Sequence, residues 1–327
     1  MTAAEDPRLA ERVAQLLGRA ADPFVAALVD SDGVRVATRG LDPSADVEIG
    51  SVSKGITGLL LHDAVDRGEV TPDTRLGEFL DLGSGPIAGV RLAELATHRS
   101  GLPRLGPGSH PVRGTWRLMA GGANPYGESL AELLDRVREV RPSGRGRPRY
   151  SNLGFMLLGH AVAAAAGTSY ARLTRERLAA PLGMAGMGVP RHLDELGPRA
   201  ALGTSRRGAP RQAWTGEALG PAGGIRATVD DLARLLAALL DGTAPGIAAL
   251  DPVTTMAGPA VRIGAAWLTI IRDEREITWH NGGTGGFRSI VAVDRGAGRG
   301  VAVVRASPRA PDQAGFDLLT RPPHTPS

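Results

Sequence analysis

The chain has 327 residues, of which 42% are hydrophobic and 22% are charged, so it is long enough for one large globular domain or two ordinary ones. It contains no cysteine, which excludes disulfides, thiolate metal sites and cysteine nucleophiles. The net charge of +4 is too small to predict binding to nucleic acid. The one basic run, residues 138–150, is interrupted by Pro and Gly and is interpreted as a solvated loop.

The N-terminal residues 1–23 lack the basic start and the continuous apolar run of a signal peptide. No apolar stretch of the sequence is long enough to span a bilayer. We therefore expect a soluble, cytoplasmic protein without a membrane partner.

The first predicted elements are a helix and a hairpin. An amphipathic helix begins after Asp6, which is placed as its N-cap. Two apolar runs around Asp32-Gly33, within residues 24–40, predict a β-hairpin. Another helix is predicted next, with Ser51 at its start because serine is a favourable N-cap.

The middle of the chain, residues 71–204, is rich in helix and loop signals and poor in strand signals. A further helix is predicted between Thr228 and Gly242, with a capping-type start and a terminating glycine. From about residue 260 the pattern changes to β-rich runs that are separated by glycines and charged turns.

This order of elements predicts an α+β fold. An antiparallel sheet from both chain ends is expected to be flanked by helices and to carry an inserted, mostly helical subdomain. We predict a single domain over residues 1–327. Its α/β part covers about 1–70 and 205–327, and its helical subdomain covers about 71–204.

Lys54 is the only lysine of the chain, beside 37 arginines, and it follows Ser51 by three residues. Positions i and i+3 share a helix face, and the positive end of the helix dipole together with burial lowers the pKa of a lysine placed there. A neutral amine accepts a serine proton, whereas arginine stays charged. Helix-terminal amides also offer donors to an oxyanion. The spacing therefore indicates a Ser-Lys acyl-transfer site, against the alternative of a helix cap followed by a surface lysine.

Two further elements follow in order. Tyr150 and Asn152 lie in the segment YSNLG, where a phenol relays a proton and an amide holds a substrate carbonyl. The alternative is an ordinary turn with Asn152 as the cap of the next helix. The second element is WHNGGTGGF, residues 279–287, whose alternative interpretation is a glycine-rich strand turn.

Together the three elements resemble the motifs Ser-x-x-Lys, Tyr-x-Asn and Lys-Thr-Gly of the serine β-lactamase and penicillin-binding-protein superfamily. The resemblance is closest to the class C β-lactamase-like branch, which includes D-alanyl-D-alanine peptidases, cytosolic esterases and acyltransferases. Segments 94–103 (ELATHRSGLP) and 220–235 (GPAGGIRATVDDLARL) also look like framework segments of that branch. The likeness runs from about residue 20 to 306 and implies a β-lactamase/transpeptidase-like fold.

The resemblance also implies a role for each site residue. Ser51 is the nucleophile, Lys54 and Tyr150 share general acid and base work, Asn152 contacts the substrate, the amides of Ser51 and Gly283 form the oxyanion hole, and the third motif falls on His280, Asn281 and Gly282. His280 stands where β-lactamases and peptidases carry lysine, so a permanent cation becomes a titratable one. Histidine at this place is familiar among the esterase-like members.

The remaining histidines are scattered without the spacing of metal ligands, so they are interpreted as structural. They are His62, His98, His110, His160, His192 and His324. No metal site and no cofactor are predicted. Trp116 and Trp214 fall in loops of the middle region, where they either line a pocket or pack.

The leading functional expectation is a cytoplasmic, esterase-like serine hydrolase that acts on a small-molecule ester or amide through a Ser51 acyl-enzyme. The alternative is an acyltransferase of the same fold that passes the acyl group to an amine or alcohol in natural-product (antibiotic) biosynthesis. A β-lactamase or D-alanyl-D-alanine carboxypeptidase is less favoured, because the chain shows no export signal and no third-motif lysine. A non-catalytic binding module is least favoured, because all three motifs keep reactive side chains.

Overall fold

A computed structural model describes residues 5–18, 22–107 and 123–320 of the chain. The strands are β1 (Phe24–Asp30), β2 (Gly33–Arg39), β3 (Val47–Glu48), β4 (Arg226–Ala227), β5 (Thr254–Ala257), β6 (Val261–Ile263), β7 (Leu268–Arg272), β8 (Arg275–Gly283), β9 (Arg288–Asp294) and β10 (Arg299–Arg305). Eight of them form one antiparallel sheet in the order β2-β1-β10-β9-β8-β7-β6-β5, and β3 pairs with β4 separately.

The α-helices are α1 (Pro7–Leu17), α2 (Ser53–Asp66), α3 (Leu92–Ala96), α4 (Leu130–Val137), α5 (Asn152–Ala165), α6 (Tyr170–Thr174), α7 (Gly220–Gly223), α8 (Val229–Leu240) and α9 (Asp312–Thr320). Single 3-10 turns occur at Gly50–Val52, Leu76–Glu78, Pro86–Gly89, Leu193–Glu195 and Ile247–Leu250, and a π-helical turn at Arg175–Ala179 continues α6. Asp6 caps α1, since its carboxylate accepts from the amides of Arg8 and Leu9 at 2.9 and 3.2 Å. The predicted cap is therefore confirmed.

The sheet joins the two ends of the chain, as the sequence predicts. β1 pairs with β10 from Phe24 opposite Arg305 to Val29 opposite Gly300. β1 and β2 form the predicted hairpin, closed by the pair Asp30 and Gly33. Gly33 has a φ of +110°, which a residue with a side chain rarely adopts. The α+β prediction, with an antiparallel sheet from both chain ends flanked by helices, is confirmed.

Both faces of the sheet are buried, which explains why β1 reads as a nearly continuous apolar run. Along β1, Val25 and Ala27 belong to the larger core, which also contains residues of α2, α5 and α8. The alternate residues Ala26 and Leu28 point to the other face and pack with residues of α1 and α9. Helices therefore cover the sheet on both sides, and the larger core lies on the side of α2.

The last part of β8 is bonded on one side only. Its pairing with β9 extends to Gly283, whereas its pairing with β7 ends where Trp279 meets Leu268. This unpaired edge lies against the turn that precedes α2. A Cβ on Gly50 would fall 2.5 Å from the Gly283 nitrogen, and Gly50 itself has a φ of +53°. Glycine is thus required where the strand edge meets this turn.

Membrane-spanning segments were sought among the described helices. No single one is long and apolar enough to cross a bilayer. α5 and the segment Tyr170–Ala179 pass the length and composition test only as a pair, which is bent by 76°.

Gly58 tests the close packing of α2. Alanine inside a helix is ordinarily more stable than glycine by about 0.5–1 kcal/mol. A Cβ at Gly58, however, would overlap the backbone carbonyl oxygen of Ala265. We expect Gly58→Ala to lower the free energy of unfolding by about 1–3 kcal/mol, measured by urea unfolding.

The control is Gly89→Ala, where a Cβ meets no heavy atom within 4 Å and φ is not positive. This variant should stay within about 0.5 kcal/mol of the unmodified protein. A Gly58→Ala protein that is as stable as the control would contradict the close contact between α2 and Ala265.

Candidate active site

Ser51 lies in the 3-10 turn Gly50–Val52, directly before α2, and its side chain is partly exposed. The N-cap of α2 is Val52, and no side chain accepts a capping hydrogen bond there. The prediction that Ser51 starts and caps the helix is therefore wrong, because the extra turn moves it off the cap position. The Ser51 hydroxyl consequently makes no capping hydrogen bond to α2.

Lys54 is completely buried in the first turn of α2. Its Nζ lies 3.0 Å from Ser51 Oγ and donates a hydrogen bond to the carbonyl of Ala222. The rings of Tyr150 and Phe155 lie beside it, with centroids 5.0 and 5.9 Å from Nζ. Burial, and secondarily the positive charge of Arg104, hold the pKa of Lys54 well below its usual value of 10.5. The sequence-based expectation of a neutral amine beside Ser51 is therefore supported by its surroundings.

The short helix α7 fixes the start of α2 through backbone groups. The Pro221 carbonyl accepts from Thr57 Oγ1 at 2.8 Å, and the Ile225 amide donates to Ser53 Oγ at 3.2 Å. Between them, the Ala222 carbonyl accepts from Lys54. A neutral amine has two N–H groups and one lone pair, so a hydrogen bond to this carbonyl leaves the lone pair for the Ser51 proton.

Tyr150 lies beside Ser51, at the start of the second motif. A hydrogen bond joins its hydroxyl to the Ser51 side chain. Burial raises the pKa of Tyr150 to about 12, although that hydrogen bond and the charge of Arg104 act in the other direction. Tyr150 is therefore a phenol at neutral pH and is suited to donate a proton.

Asn152 is free to face a ligand because a neighbour caps the helix. Ser151 is the cap of α5, with its Oγ accepting from the Gly154 amide at 2.9 Å. The alternative that Asn152 is the cap is therefore wrong. The Oδ1 atom of Asn152 is buried and has no hydrogen-bond partner among the described residues, and its side chain is hydrogen-bonded to Tyr126. The sequence predicts that the Asn152 amide holds a substrate carbonyl, whereas the group left unpaired here is the side chain's own carbonyl, which is an acceptor.

Aromatic rings line the side of the site beyond Asn152. The rings of Tyr126 and Trp214 meet edge to face, with centroids 4.8 Å apart. Trp214 is held by its backbone amide, which donates to the buried Glu48 carboxylate at 2.8 Å. Its indole Nε1 is buried without a partner among the described residues. Of the two predicted pocket tryptophans, Trp214 lies near Asn152, and Trp116 lies outside the described residues.

His280, in the third motif, is buried, and its Nδ1 donates to the Asn281 carbonyl at 2.6 Å. Burial, and secondarily Lys54, lower the pKa of His280 to about 3. The sequence predicts a titratable cation here, but in the folded protein the imidazole is neutral at physiological pH. Asn281 is exposed on the strand, and its amide donates to the Asp312 carboxylate of α9.

The predicted oxyanion donors belong to two segments that touch. Gly282 packs against the turn before α2, so that a Cβ there would lie 2.9 Å from the Ser51 amide nitrogen. A Cβ on Gly50 would lie 2.5 Å from the Gly283 nitrogen. The structure thus brings the amide-bearing segments of Ser51 and Gly283 together.

Three contributors were missed by the sequence motifs. One is the Ala222 carbonyl, which accepts a hydrogen bond from Lys54. The other two lie beside Tyr150: Arg104 Cζ is 5.4 Å from the Tyr150 ring centroid, and the His98 ring centroid is 4.5 Å from it. All three lie in or next to segments identified only as framework by resemblance, and their contacts are long-range. Within the described residues no group of three or more His, Cys, Asp or Glu is arranged to hold a metal ion.

Comparisons with known proteins show which family and fold the chain is similar to. The family model described as Beta-lactamase matches residues 9–319. "Putative beta-lactamase-like 1" of Homo sapiens is 29% identical over 293 residues, which is 84% of this chain and 56% of the human protein. "D-alanyl-D-alanine-carboxypeptidase/endopeptidase AmpH" of Escherichia coli K12 is 30% identical over 197 residues, which is 58% of this chain and 47% of AmpH. The chain spans about half the length of these two curated relatives.

A solved structure shares the fold. The class C beta lactamase from Rhodobacter sphaeroides superimposes with a TM-score of 0.76 at 21% identity, covering 94% of this chain and 98% of that one. This similarity confirms the β-lactamase-like architecture predicted from the motifs. With the family model extending over almost the whole sequence, the chain belongs to the Beta-lactamase family, a family of serine hydrolases.

Proposed function

We propose that this protein is an esterase-like serine hydrolase that cleaves a small ester or amide through an acyl-enzyme on Ser51. The observation that carries the proposal is the fully buried Lys54 amine, 3.0 Å from Ser51 Oγ. Among the described residues no carboxylate pairs with this amine, so nothing there holds a proton on it. A buried neutral amine beside a hydroxyl is the arrangement that activates a serine nucleophile.

Acylation begins when Lys54 takes the Ser51 proton and Oγ attacks the substrate carbonyl carbon. The amides of Ser51 and Gly283 stabilise the negative charge on the carbonyl oxygen. Tyr150 then donates its phenolic proton to the leaving oxygen or nitrogen as the bond to the acyl carbon breaks. The proton held by Lys54 replaces the one lost by Tyr150, so the enzyme ends this half-reaction with Ser51 acylated and no net change in protonation.

Deacylation repeats these steps with water as the nucleophile. The same basic groups remove a proton from water while its oxygen attacks the acyl carbon, and Ser51 Oγ leaves with a proton. Acyl transfer to an amine or alcohol would share the first half-reaction and differ only in this acceptor. Water exclusion, not the identity of the catalytic groups, decides between the two outcomes.

The neutral His280 favours uncharged substrates. A lysine at this position would provide a fixed positive charge for a substrate carboxylate, whereas His280 has a pKa of about 3. The second candidate is a D-alanyl-D-alanine carboxypeptidase, because AmpH, a relative at 30% identity, carries that name. Its substrate ends in a carboxylate, which ranks it below an esterase for this chain.

The acyl-enzyme is directly testable by mass. We expect intact protein that is quenched with acid after brief incubation with p-nitrophenyl butyrate to gain one butyryl group. Ser51→Ala should gain none, because it lacks the nucleophilic oxygen. Faster loss of the adduct on adding n-butylamine, with formation of N-butylbutyramide, would identify an acyltransferase. An equal adduct on Ser51→Ala would contradict the proposed nucleophile.

Lys54→Arg tests the base. Arginine keeps the positive charge but does not lose its proton at accessible pH. We expect kcat/KM for p-nitrophenyl butyrate to fall by about 10²–10⁴-fold, the usual contribution of a positioned base. The control is Arg8→Lys on the exposed surface of α1, which should leave kcat/KM unchanged. A Lys54→Arg enzyme with activity near that of the control would refute the role of Lys54 as base.

The dependence of kcat/KM on pH follows from the shifted pKa values of Lys54 and Tyr150. Lys54 is a base only when neutral, so kcat/KM should fall as the pH drops below its pKa, which lies well under 10.5. Tyr150 keeps its proton until its pKa of about 12. We therefore expect kcat/KM to be level across the pH unit below 10.5, because Lys54 is already neutral there and Tyr150 still keeps its proton. A several-fold rise across that interval would show a lysine with an ordinary pKa.

A further inference from the structure

His98 occupies a backbone position that suits glycine. It follows the C-cap Thr97 of α3, where its amide donates to the Leu95 carbonyl and the Arg99 amide donates to the Glu94 carbonyl. This is the Schellman pattern, in which the residue after the cap takes a left-handed conformation. His98 accordingly has a φ of +56°. Glycine adopts this conformation without steric cost, so the backbone alone does not explain a histidine here.

Only one of the two imidazole nitrogens of His98 has a hydrogen-bond partner among the described residues. His98 is 2% exposed, and its Nδ1 accepts from the Ser151 amide at 3.2 Å. The ring proton must therefore lie on Nε2, which is buried and has no partner among the described residues. A buried N–H without an acceptor is destabilising. The left-handed backbone and the unpaired Nε2 are thus local costs of a histidine at this position.

The contacts of His98 lead to the second motif instead. Its ring centroid lies 4.5 Å from that of Tyr150 and 4.8 Å from that of Phe155. Its hydrogen bond holds Ser151, the residue between Tyr150 and Asn152. One side chain therefore restrains both the ring of Tyr150 and the backbone that carries it.

We propose that His98 is a positioning residue, which holds the Tyr150 hydroxyl at Ser51 through its ring contact and its hydrogen bond to the Ser151 amide. This inference rests on the proposed function and assigns a role to a residue outside the three motifs. His98 does not touch the reacting atoms in this account and acts only through Tyr150.

The charges around His98 suit a neutral ring. Two basic groups interact electrostatically with His98, namely Lys54 of α2 and His280 of β8. Arg104 lies over the ring of Tyr150, one of the two aromatic rings that His98 contacts. No acidic side chain of the described residues contributes to the balance at His98, Lys54 or His280. Burial and the two basic neighbours hold the pKa of His98 well below its usual value, so the Nδ1 acceptor persists at physiological pH.

Two variants separate positioning from packing. His98→Gly removes the side chain and relieves the left-handed backbone, so the fold should be retained. We expect its kcat for p-nitrophenyl butyrate to fall by about 10²-fold with KM changed less than about threefold, as for a misplaced catalytic group. His98→Asn tolerates the same backbone and offers an oxygen near the position of Nδ1. The kcat of His98→Asn should be at least about tenfold higher than that of His98→Gly.

The decisive measurement is a double-mutant cycle with Tyr150→Phe. If His98 acts through the Tyr150 hydroxyl, His98→Gly should lower kcat less than about twofold further in the Tyr150→Phe background. His98→Asn replaces it in the cycle should His98→Gly fail to fold. The matched control is His160→Asn, a buried histidine bonded to the Glu217 carbonyl, whose effect should be the same in both backgrounds.

Three results would overturn the inference: a kcat unchanged in His98→Gly, an equal loss with and without the Tyr150 hydroxyl, or a loss confined to KM. Failure of the proposed function is a separate outcome. It would appear as absence of the butyryl adduct on the unmodified protein, whereas failure of the His98 role would leave the adduct on the unmodified protein intact.

Discussion

The Lys54 amine has to be removed from water before it becomes a base, and several parts of the fold serve that removal. α7 covers the amine with the Ala222 carbonyl, and Tyr150 and Phe155 enclose it with their rings. Behind it, the Trp267 indole donates to the Gly55 carbonyl at 3.1 Å and closes the other side of α2. A buried ammonium without a carboxylate is costly, and burial accordingly lowers the pKa of Lys54 well below its usual value. In the proposed mechanism the base is thus a product of packing.

The same packing sets the character of the neighbouring groups. His98 and His280 are both buried near Lys54. Burial, Lys54 and His280 lower the pKa of His98, and burial and Lys54 lower the pKa of His280. A lysine at position 280 would bring a second amine into this cluster. The histidine avoids that repulsion but gives up a fixed charge for binding substrate carboxylates, and this difference is the basis for proposing uncharged esters and amides as substrates. In the proposal, catalytic groups and substrate preference follow from one electrostatic environment.

Much of this arrangement was accessible from the sequence, and the exceptions share a cause. The single lysine after Ser51, the capped first helix and the hairpin of β1 and β2 are local patterns. They predicted that Lys54 lies beside Ser51 and that the sheet joins both chain ends, while the catalytic roles stay predictions. The 3-10 turn before α2, the neutral state of His280 and the contacts of His98 arise from residues far apart in the chain. β5 was not predicted either, because its alternating, half-exposed residues give a weak apolar signal. The hydrophobic periodicity of one segment does not show which residues from distant parts of the chain it will contact.

The central claim is the neutral state of Lys54, and the composition of the chain makes it measurable at one atom. Because Lys54 is the only lysine, protein labelled with [ε-¹³C]lysine has a single lysine resonance, and its chemical shift can be followed by NMR as the pH is changed. The account predicts a titration midpoint far below the usual 10.5, in the unmodified protein and in Ser51→Ala alike. A midpoint at or above the usual value would show that Lys54 is an ammonium at neutral pH and would contradict its role as the base.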